Sequence, residues 1–128
     1  MKKALFITLL LTNLLCLAQE KTPEQIVQEQ VEAYNSRDIE AFLSFYSDDV
    51  KLYTYPNKLD SDGKAAMREG YASFFKNAKV LNCKITKRIV TKNIVIDEED
   101  IQYNDTKFGG VAIYEVENGK IVKVTFFQ

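Results

Sequence analysis

The chain has 128 residues, with 17 Lys and Arg, 18 Asp and Glu, and no His. Its length accommodates one small domain, and its near-neutral charge disfavours nucleic acid as a partner, because proteins that track phosphates carry a basic surplus. The lack of His excludes Ser-His and Cys-His triads and His-ligated metal sites. We therefore expect chemistry based on carboxylates, tyrosines, lysines or backbone groups, with no metal and no cofactor.

Residues 1–18 have the pattern of a cleaved export signal. Lys2 and Lys3 precede an apolar run over residues 4–15, and residues 16–18 (CLA) supply small side chains at the positions that a signal peptidase reads. The run is too short to span a hydrocarbon core of roughly 30 Å. We expect an exported mature domain, periplasmic or secreted, over residues 19–128, with no stable membrane insertion after cleavage.

Cleavage would leave 15 basic and 18 acidic residues, a net charge of −3, and Cys83 as the remaining cysteine. A single cysteine forms no internal disulfide, so stability must come from packing. Cys83 falls in a predicted strand, with neither a His nor a helix N-terminus to activate it. A buried, inert thiol is therefore expected.

The mature chain begins with two predicted helices and a strand. Residues 22–25 (TPEQ) form a capping box with Pro at the first helical position. Asp38 can cap a second, short helix, and a strand is predicted over residues 50–55. Residues 58–63 are predicted to form a polar loop.

A third helix is predicted over residues 64–76, with Asp62 as its cap. Its buried stripe is Met67, Tyr71 and Phe74, and Gly70 would permit a close approach. Four strands follow, over residues 80–90, 94–103, 108–117 and 120–127. The order α-α-β-α-β-β-β-β predicts an α+β fold, with three helices on a curved, mainly antiparallel sheet and a pocket between the two layers.

Three segments resemble a known family. Residues 33–42 (AYNSRDIEAF) followed by 45–50 (FYSDDV), residues 63–68 (GKAAMR), and residues 111–116 (VAIYEV) with 118–121 (NGKI) are similar to SnoaL-like and ketosteroid-isomerase-like proteins of the nuclear transport factor 2-like superfamily. The resemblance implies a cone-shaped α+β fold over residues 19–128. It does not imply one activity, because this fold carries isomerases, hydrolases and binding proteins alike.

The catalytic residues implied by the resemblance are not retained. Gln30 stands where ketosteroid isomerases have a first-helix Tyr, Tyr55 where they have the general-base Asp, and Ile113 near their second Asp. The Arg and two Asp residues of limonene-epoxide-hydrolase-like members correspond roughly to Asp100, Gln102 and Phe126. The resemblance therefore argues against both established mechanisms.

The acidic run at residues 97–100 (DEED) is the most unusual local feature. Alternate side chains of a strand face opposite sides, so one pair should approach the pocket. A desolvated carboxylate there would have a raised pKa suited to acid/base work. The hydrolase-like register favours Glu98 and Asp100 as this pair and as catalytic candidates. The alternative is a solvated strand end whose charges discourage edge pairing.

Aromatic side chains supply the remaining candidates. Tyr53 and Tyr55 share one face of the first strand, and the isomerase-like register turns that face inward. We expect these two, together with Gln30, Tyr34 and Tyr114, to line the pocket, with Tyr55 as a further catalytic candidate because its hydroxyl can donate to a substrate oxygen. Core packing is the alternative role for any single Tyr.

The sequence predicts an exported domain that binds a small, largely apolar molecule, with cofactor-free isomerase-type or hydrolase-type chemistry as one reading. The alternative is a non-catalytic ligand-binding or dimeric assembly module. Lys84, Lys87 and Arg88 are expected on a solvated strand face. Surplus apolar residues such as Phe126 or Phe127 on the outer sheet face would favour a homodimer through the sheet.

Overall fold

A computed structural model of the chain describes residues 19–128; the expected export signal lies outside these residues. The helices are α1 (Pro23–Asn35), α2 (Ile39–Ser44) and α3 (Lys64–Asn77), and the strands are β1 (Tyr46–Thr54), β2 (Lys58–Asp62), β3 (Leu81–Thr91), β4 (Ile94–Tyr103), β5 (Thr106–Glu117) and β6 (Lys120–Phe127). None of the helices between residues 19 and 128 is long and apolar enough to cross a membrane.

The predicted caps start the first two helices. The Thr22 hydroxyl accepts a hydrogen bond from the Gln25 backbone N–H at 3.2 Å, and the Gln25 side chain accepts one from the Thr22 N–H at 2.9 Å. This reciprocal pairing satisfies N–H groups that the first helical turn leaves free. The Asp38 carboxylate does the same for α2, accepting from the Ala41 N–H at 3.1 Å.

The six strands form one sheet in the order β2-β1-β6-β5-β4-β3. All neighbours are antiparallel except β1 and β6, which run parallel. The core fills the space between the concave sheet face and the helices, and its fully buried members include Phe42, Leu43, Met67, Val95 and Ile121. The predicted α+β architecture of helices on a curved, mainly antiparallel sheet is confirmed.

The segment after β1 differs from the prediction. Residues 58–62, predicted as part of a polar loop, form the edge strand β2. Asp62 does not cap α3, because its carboxylate lies 2.6 Å from the Lys51 ammonium on the neighbouring strand. Gly63 occupies the cap position instead, with a φ of +92° that favours Gly and with no side-chain cap.

The buried side of α3 also departs in detail from the predicted stripe. Met67 is fully buried, as expected, and Phe75 joins it, whereas Tyr71 and Phe74 are partly buried. Gly70 makes no close approach, since a Cβ placed there would meet no atom within 4 Å. The space beside Gly70 belongs to a cavity.

One irregularity in the sheet decides which side chains of β3 face the helices. Ile85 pairs with Glu99, but Glu98 pairs with Lys87, so Thr86 is an extra residue in a β-bulge. A bulge reverses the alternation of the strand beyond it. Cys83 faces inward before the bulge, and Arg88 faces inward after it, opposite Asp97.

Candidate functional site

A cavity of about 350 Å³ lies between the helices and the concave face of the sheet. This volume falls in the range of small-molecule sites. The cavity wall is mainly apolar and aromatic, and among residues 19–128 Glu99 is the charged side chain in it. The lining side chains that bear polar atoms or aromatic rings are Gln30, Tyr34, Tyr46, Tyr71, Phe74, Cys83, Glu99, Phe108, Tyr114, Phe126, Phe127 and Gln128.

Two adjacent glycines on β5 form part of the wall. A Cβ at Gly109 would lie 2.3 Å from the Glu99 carbonyl oxygen, and one at Gly110 would lie 1.9 Å from the Phe127 carbonyl oxygen. Neither position can hold a larger residue without a shift of backbone. The two glycines thus let β5 lie close to β4 and β6 where these strands border the cavity.

The acidic run presents the pair of carboxylates opposite to the one expected. Asp97 is fully buried and Glu99 is largely buried, whereas Glu98 and Asp100 are exposed. The prediction that Glu98 and Asp100 point inward was wrong, because β4 continues the alternation set by the buried Val95. Glu98 and Asp100 are the solvent-exposed carboxylates of the alternative considered for this run. Glu98 accepts a hydrogen bond from the Thr86 hydroxyl at 2.6 Å.

Burial raises the pKa of Glu99 to about 7. The Tyr114 hydroxyl, which donates to Glu99 Oε1 at 2.8 Å, opposes this effect by stabilising the carboxylate. The nearby Asp97 charge raises the pKa further, and Arg88 lowers it. A carboxyl with this pKa exists in both protonation states at neutral pH, which is the condition for a general acid or base.

Asp97 and Arg88 form an ion pair beside Glu99. The guanidinium donates two hydrogen bonds to the Asp97 carboxylate, at 2.7 and 2.8 Å, and a third to Gln28 of α1 at 3.0 Å. The expectation of a solvated Lys84, Lys87 and Arg88 cluster was therefore wrong for Arg88, which the bulge turns inward. The pair satisfies a fully buried carboxylate and so leaves Glu99 as the acidic group that faces the cavity.

Four tyrosines bring hydroxyl groups to the cavity from four elements: Tyr34 from α1, Tyr46 from β1, Tyr71 from α3 and Tyr114 from β5. Burial, followed by neighbouring charges such as that of Glu99, raises the pKa of each. These hydroxyls therefore stay protonated at neutral pH and can donate hydrogen bonds.

Gln30 and Cys83 complete the polar part of the wall. Gln30 is 4% exposed, and its Oε1 has no hydrogen-bond partner among residues 19–128. Burial raises the pKa of the Cys83 thiol to about 12, so the predicted inert thiol is supported. The strand that carries Cys83 is tied to α1, because the Asn35 amide donates to the Cys83 carbonyl at 3.0 Å and accepts from its N–H at 2.6 Å.

Of the five side chains expected in the pocket, Gln30, Tyr34 and Tyr114 line the cavity, and Tyr53 and Tyr55 do not. Tyr53 lies on the outer face of β1, where the Lys123 ammonium is 5.2 Å from its ring centroid. Tyr55 is 56% exposed and stacks on Phe127, with 4.0 Å between ring centroids. The inward-facing residues of β1 are the alternate ones, Val50 and Leu52. The inward orientation that the isomerase resemblance implied for Tyr53 and Tyr55 was therefore wrong.

Sequence reasoning missed Glu99, Tyr46 and Tyr71. Glu99 was part of the acidic run but on the face that was not favoured. Tyr71 had been predicted on the buried stripe of the third helix, and Tyr46, which begins β1, was not among the candidates. Among residues 19–128, no group of three or more metal-binding side chains is arranged to hold an ion.

The helices and the sheet define a small α+β domain with a nuclear transport factor 2-like fold and an internal cavity. Residues 27–124 match the SnoaL-like domain family. The chain therefore belongs to the SnoaL-like family, as its resemblance implied. A comparison with curated proteins finds no match.

Solved structures of several proteins are similar to this chain. An uncharacterised cystatin-fold protein from Novosphingobium aromaticivorans is 22% identical, with a TM-score of 0.77 and coverage of 84% of this chain and 99% of its own. An NTF2-like protein of unknown function from Cytophaga hutchinsonii is 16% identical, with a TM-score of 0.72 and coverage of 84% and 90%. An LEH-like epoxide hydrolase from M. tuberculosis is 14% identical, with a TM-score of 0.70 and coverage of 82% and 80%. At these identities the similarity establishes the fold alone.

Proposed function

We propose that the protein binds a small, largely apolar molecule in the cavity and that Glu99 exchanges a proton with it, in cofactor-free chemistry of the isomerase or hydrolase type. The observation that carries this proposal is a single carboxyl with a pKa of about 7 on the wall of a ligand-sized, mainly apolar cavity. Perturbed carboxyls in such positions are characteristic of functional sites.

The neighbouring groups suit a defined proton transfer. Tyr114 donates to Glu99 Oε1 and so fixes the orientation of the carboxyl, which leaves Oε2 to accept or donate a proton toward the cavity. The hydroxyls of Tyr34, Tyr46 and Tyr71 can donate to an oxygen that becomes negative as a proton is removed from a neighbouring carbon or from water. This arrangement replaces the isomerase and hydrolase residues that the chain lacks.

Gly70 offers a direct test of ligand binding. Its missing side chain leaves open space beside the cavity, so Gly70→Phe should fill the cavity, while Gly70→Ala should leave most of it free. Mass spectrometry of small molecules extracted from each purified protein should find a common compound in the wild type and in Gly70→Ala but not in Gly70→Phe. Identical extracts from all three folded proteins would contradict the proposal.

A catalytic role for Glu99 is tested with the compound so identified. Glu99→Gln keeps the shape of the side chain and its bond from Tyr114 but cannot take up a proton at neutral pH. Turnover should fall by a factor of at least 100 in Glu99→Gln and remain near that of the wild type in Glu98→Gln, whose side chain is exposed. Binding without turnover in the wild type would favour the non-catalytic alternative.

We also propose that residues 1–18 direct export, on the basis of their basic start, apolar run and small residues before Gln19. Expression of the whole chain followed by N-terminal sequencing of exported protein should give a mature start at Gln19. Recovery of uncleaved protein in the cytoplasm alone would refute this proposal.

A dimeric assembly role is the second candidate, and it is favoured by the edge strand β3. Its exposed apolar side chains include Ile89, which is 61% exposed, and Val90, which is 43% exposed. Exposed apolar edges promote association. Analytical ultracentrifugation should show a dimer that Ile89→Lys weakens; a wild type that is monomeric at high concentration would rule this role out.

A further inference from the structure

The charge of the cavity wall restricts its ligand. Within residues 19–128 the lining side chains include the carboxyl of Glu99 but no Lys or Arg. The guanidinium of Arg88 does not offset this acidity, because it is held by both oxygens of Asp97 and by Gln28. With Glu99 ionised, the group formed by Arg88, Asp97 and Glu99 has a net charge of −1. A carboxylate or phosphate ligand would meet repulsion there and find no counter-ion.

The polar groups of the wall also leave hydrogen-bond acceptors unused. Within residues 19–128 Glu99 receives one hydrogen bond, from Tyr114, although a carboxylate can accept about four. Gln30 is almost completely buried, and its Oε1 has no partner among the described residues. A buried acceptor without a donor costs about 1–3 kcal/mol. Both acceptors can take hydrogen bonds from the N–H groups of a ligand.

The remaining wall suits a cation with an apolar body. The rings around the cavity include those of Tyr34, Tyr46, Tyr71, Phe74, Phe108 and Tyr114. The faces of aromatic rings are negative and attract cations, most strongly where water is excluded. The same rings bury the apolar part of a ligand favourably.

We propose that the ligand is an organic amine that binds as its cation, with the ammonium group beside Glu99 and Gln30 and the apolar part among the aromatic rings. This inference rests on the proposed function, because it names the class of molecule that occupies the same cavity. The ion pair forms at a largely buried carboxylate, where charge attraction is stronger than at the surface.

Three probes of nearly the same shape test the inference: benzylamine, benzyl alcohol and benzoate, which at pH 8 are cationic, neutral and anionic. Binding is followed by titration of amide chemical shifts in the ¹⁵N-labelled domain. Benzylamine should bind at least 10-fold more tightly than benzyl alcohol and shift the resonances of cavity residues such as Gln30 and Tyr114, and benzoate should bind most weakly. In Glu99→Gln the advantage of the amine should disappear while benzyl alcohol still binds.

Glu98→Gln is the matched control, because it removes the same charge from the exposed side of the same strand. The advantage of the amine should persist in this variant. Benzyl alcohol binding as tightly as benzylamine, or an advantage that survives in Glu99→Gln, would overturn the amine inference and leave small-molecule binding intact. If none of the three probes shifts a cavity resonance, both the amine inference and the proposed binding function are contradicted.

Discussion

Replacing Glu99 by Gln should remove a large part of the pH dependence of folding. The folded-state pKa of about 7 lies above the ordinary value of 4.5, so the folded protein binds this proton more tightly than the unfolded chain does. The contribution of Glu99 to the free energy of unfolding is therefore largest below pH 4.5, and it falls as the pH rises through 7. At about 1.4 kcal/mol per pKa unit, the full loss is about 3.5 kcal/mol.

Most of this loss, about 2.5 kcal/mol, falls between pH 5 and pH 8. Urea unfolding followed by circular dichroism, at intervals of half a pH unit across this range, measures it. Because other groups also titrate, the informative quantity is the difference between the wild type and Glu99→Gln. That difference should grow by about 2.5 kcal/mol in favour of the variant between pH 5 and pH 8.

Glu98→Gln serves as the control for the loss of one carboxylate, and its profile should run parallel to that of the wild type because Glu98 is exposed. Parallel profiles for the wild type and Glu99→Gln would refute the reasoning. Such a result would mean that Glu99 is as well hydrated in the folded protein as in the unfolded chain.

Three further predictions concern the surroundings of Glu99. Arg88→Met leaves the fully buried Asp97 carboxylate unpaired and should lower the free energy of unfolding, measured in urea, by about 3–5 kcal/mol. Adding Asp97→Leu should restore most of this stability. A double variant as unstable as Arg88→Met would show that the unpaired carboxylate is not the cause. Tyr114→Phe removes the hydrogen bond that lowers the Glu99 pKa. A ¹³C-carboxyl titration of this variant by NMR should therefore give a midpoint above 7. An unchanged midpoint would show that the hydrogen bond contributes little to the Glu99 pKa. Gly109→Ala places a Cβ 2.3 Å from the Glu99 carbonyl oxygen and should lower the free energy of unfolding by about 1–3 kcal/mol. Gly70→Ala, beside open space, should not lower it. Equal thermal stability of the two variants would contradict the crowding at Gly109.

The helices and most strands were predictable because each has a clear local signal. The capping box at residues 22–25 and the alternating pattern of the last four strands fixed those elements to within two residues. Strand β2 was missed because residues 58–62 are largely polar and lie at a sheet edge, where neither face is buried. A strand that buries nothing leaves no alternation of apolar residues to detect.

The candidate site was predicted less well because it depends on which way strand side chains point. Residues 94–96 are all apolar, so the start of β4 does not reveal which alternate set faces inward, and the pair Asp97 and Glu99 could not be distinguished from Glu98 and Asp100. Arg88 could not be assigned at all, because the bulge at Thr86 arises from pairing with β4 rather than from a local motif. Gln30, Tyr34 and Tyr114 were recognisable because each lies on an inward stripe of its own element.

The bulge at Thr86 has a consequence for how the site can change in evolution. Because Thr86 is unpaired between Ile85 and Lys87, its deletion would give a regular ladder that keeps Arg88 opposite Asp97. If the bulge were instead lost by realignment of the intact strand, Lys87 would take the place of Arg88, and one flexible ammonium would replace a two-pronged guanidinium. The pairing register of β3, with no substitution at the site, would therefore determine which cation neutralises Asp97.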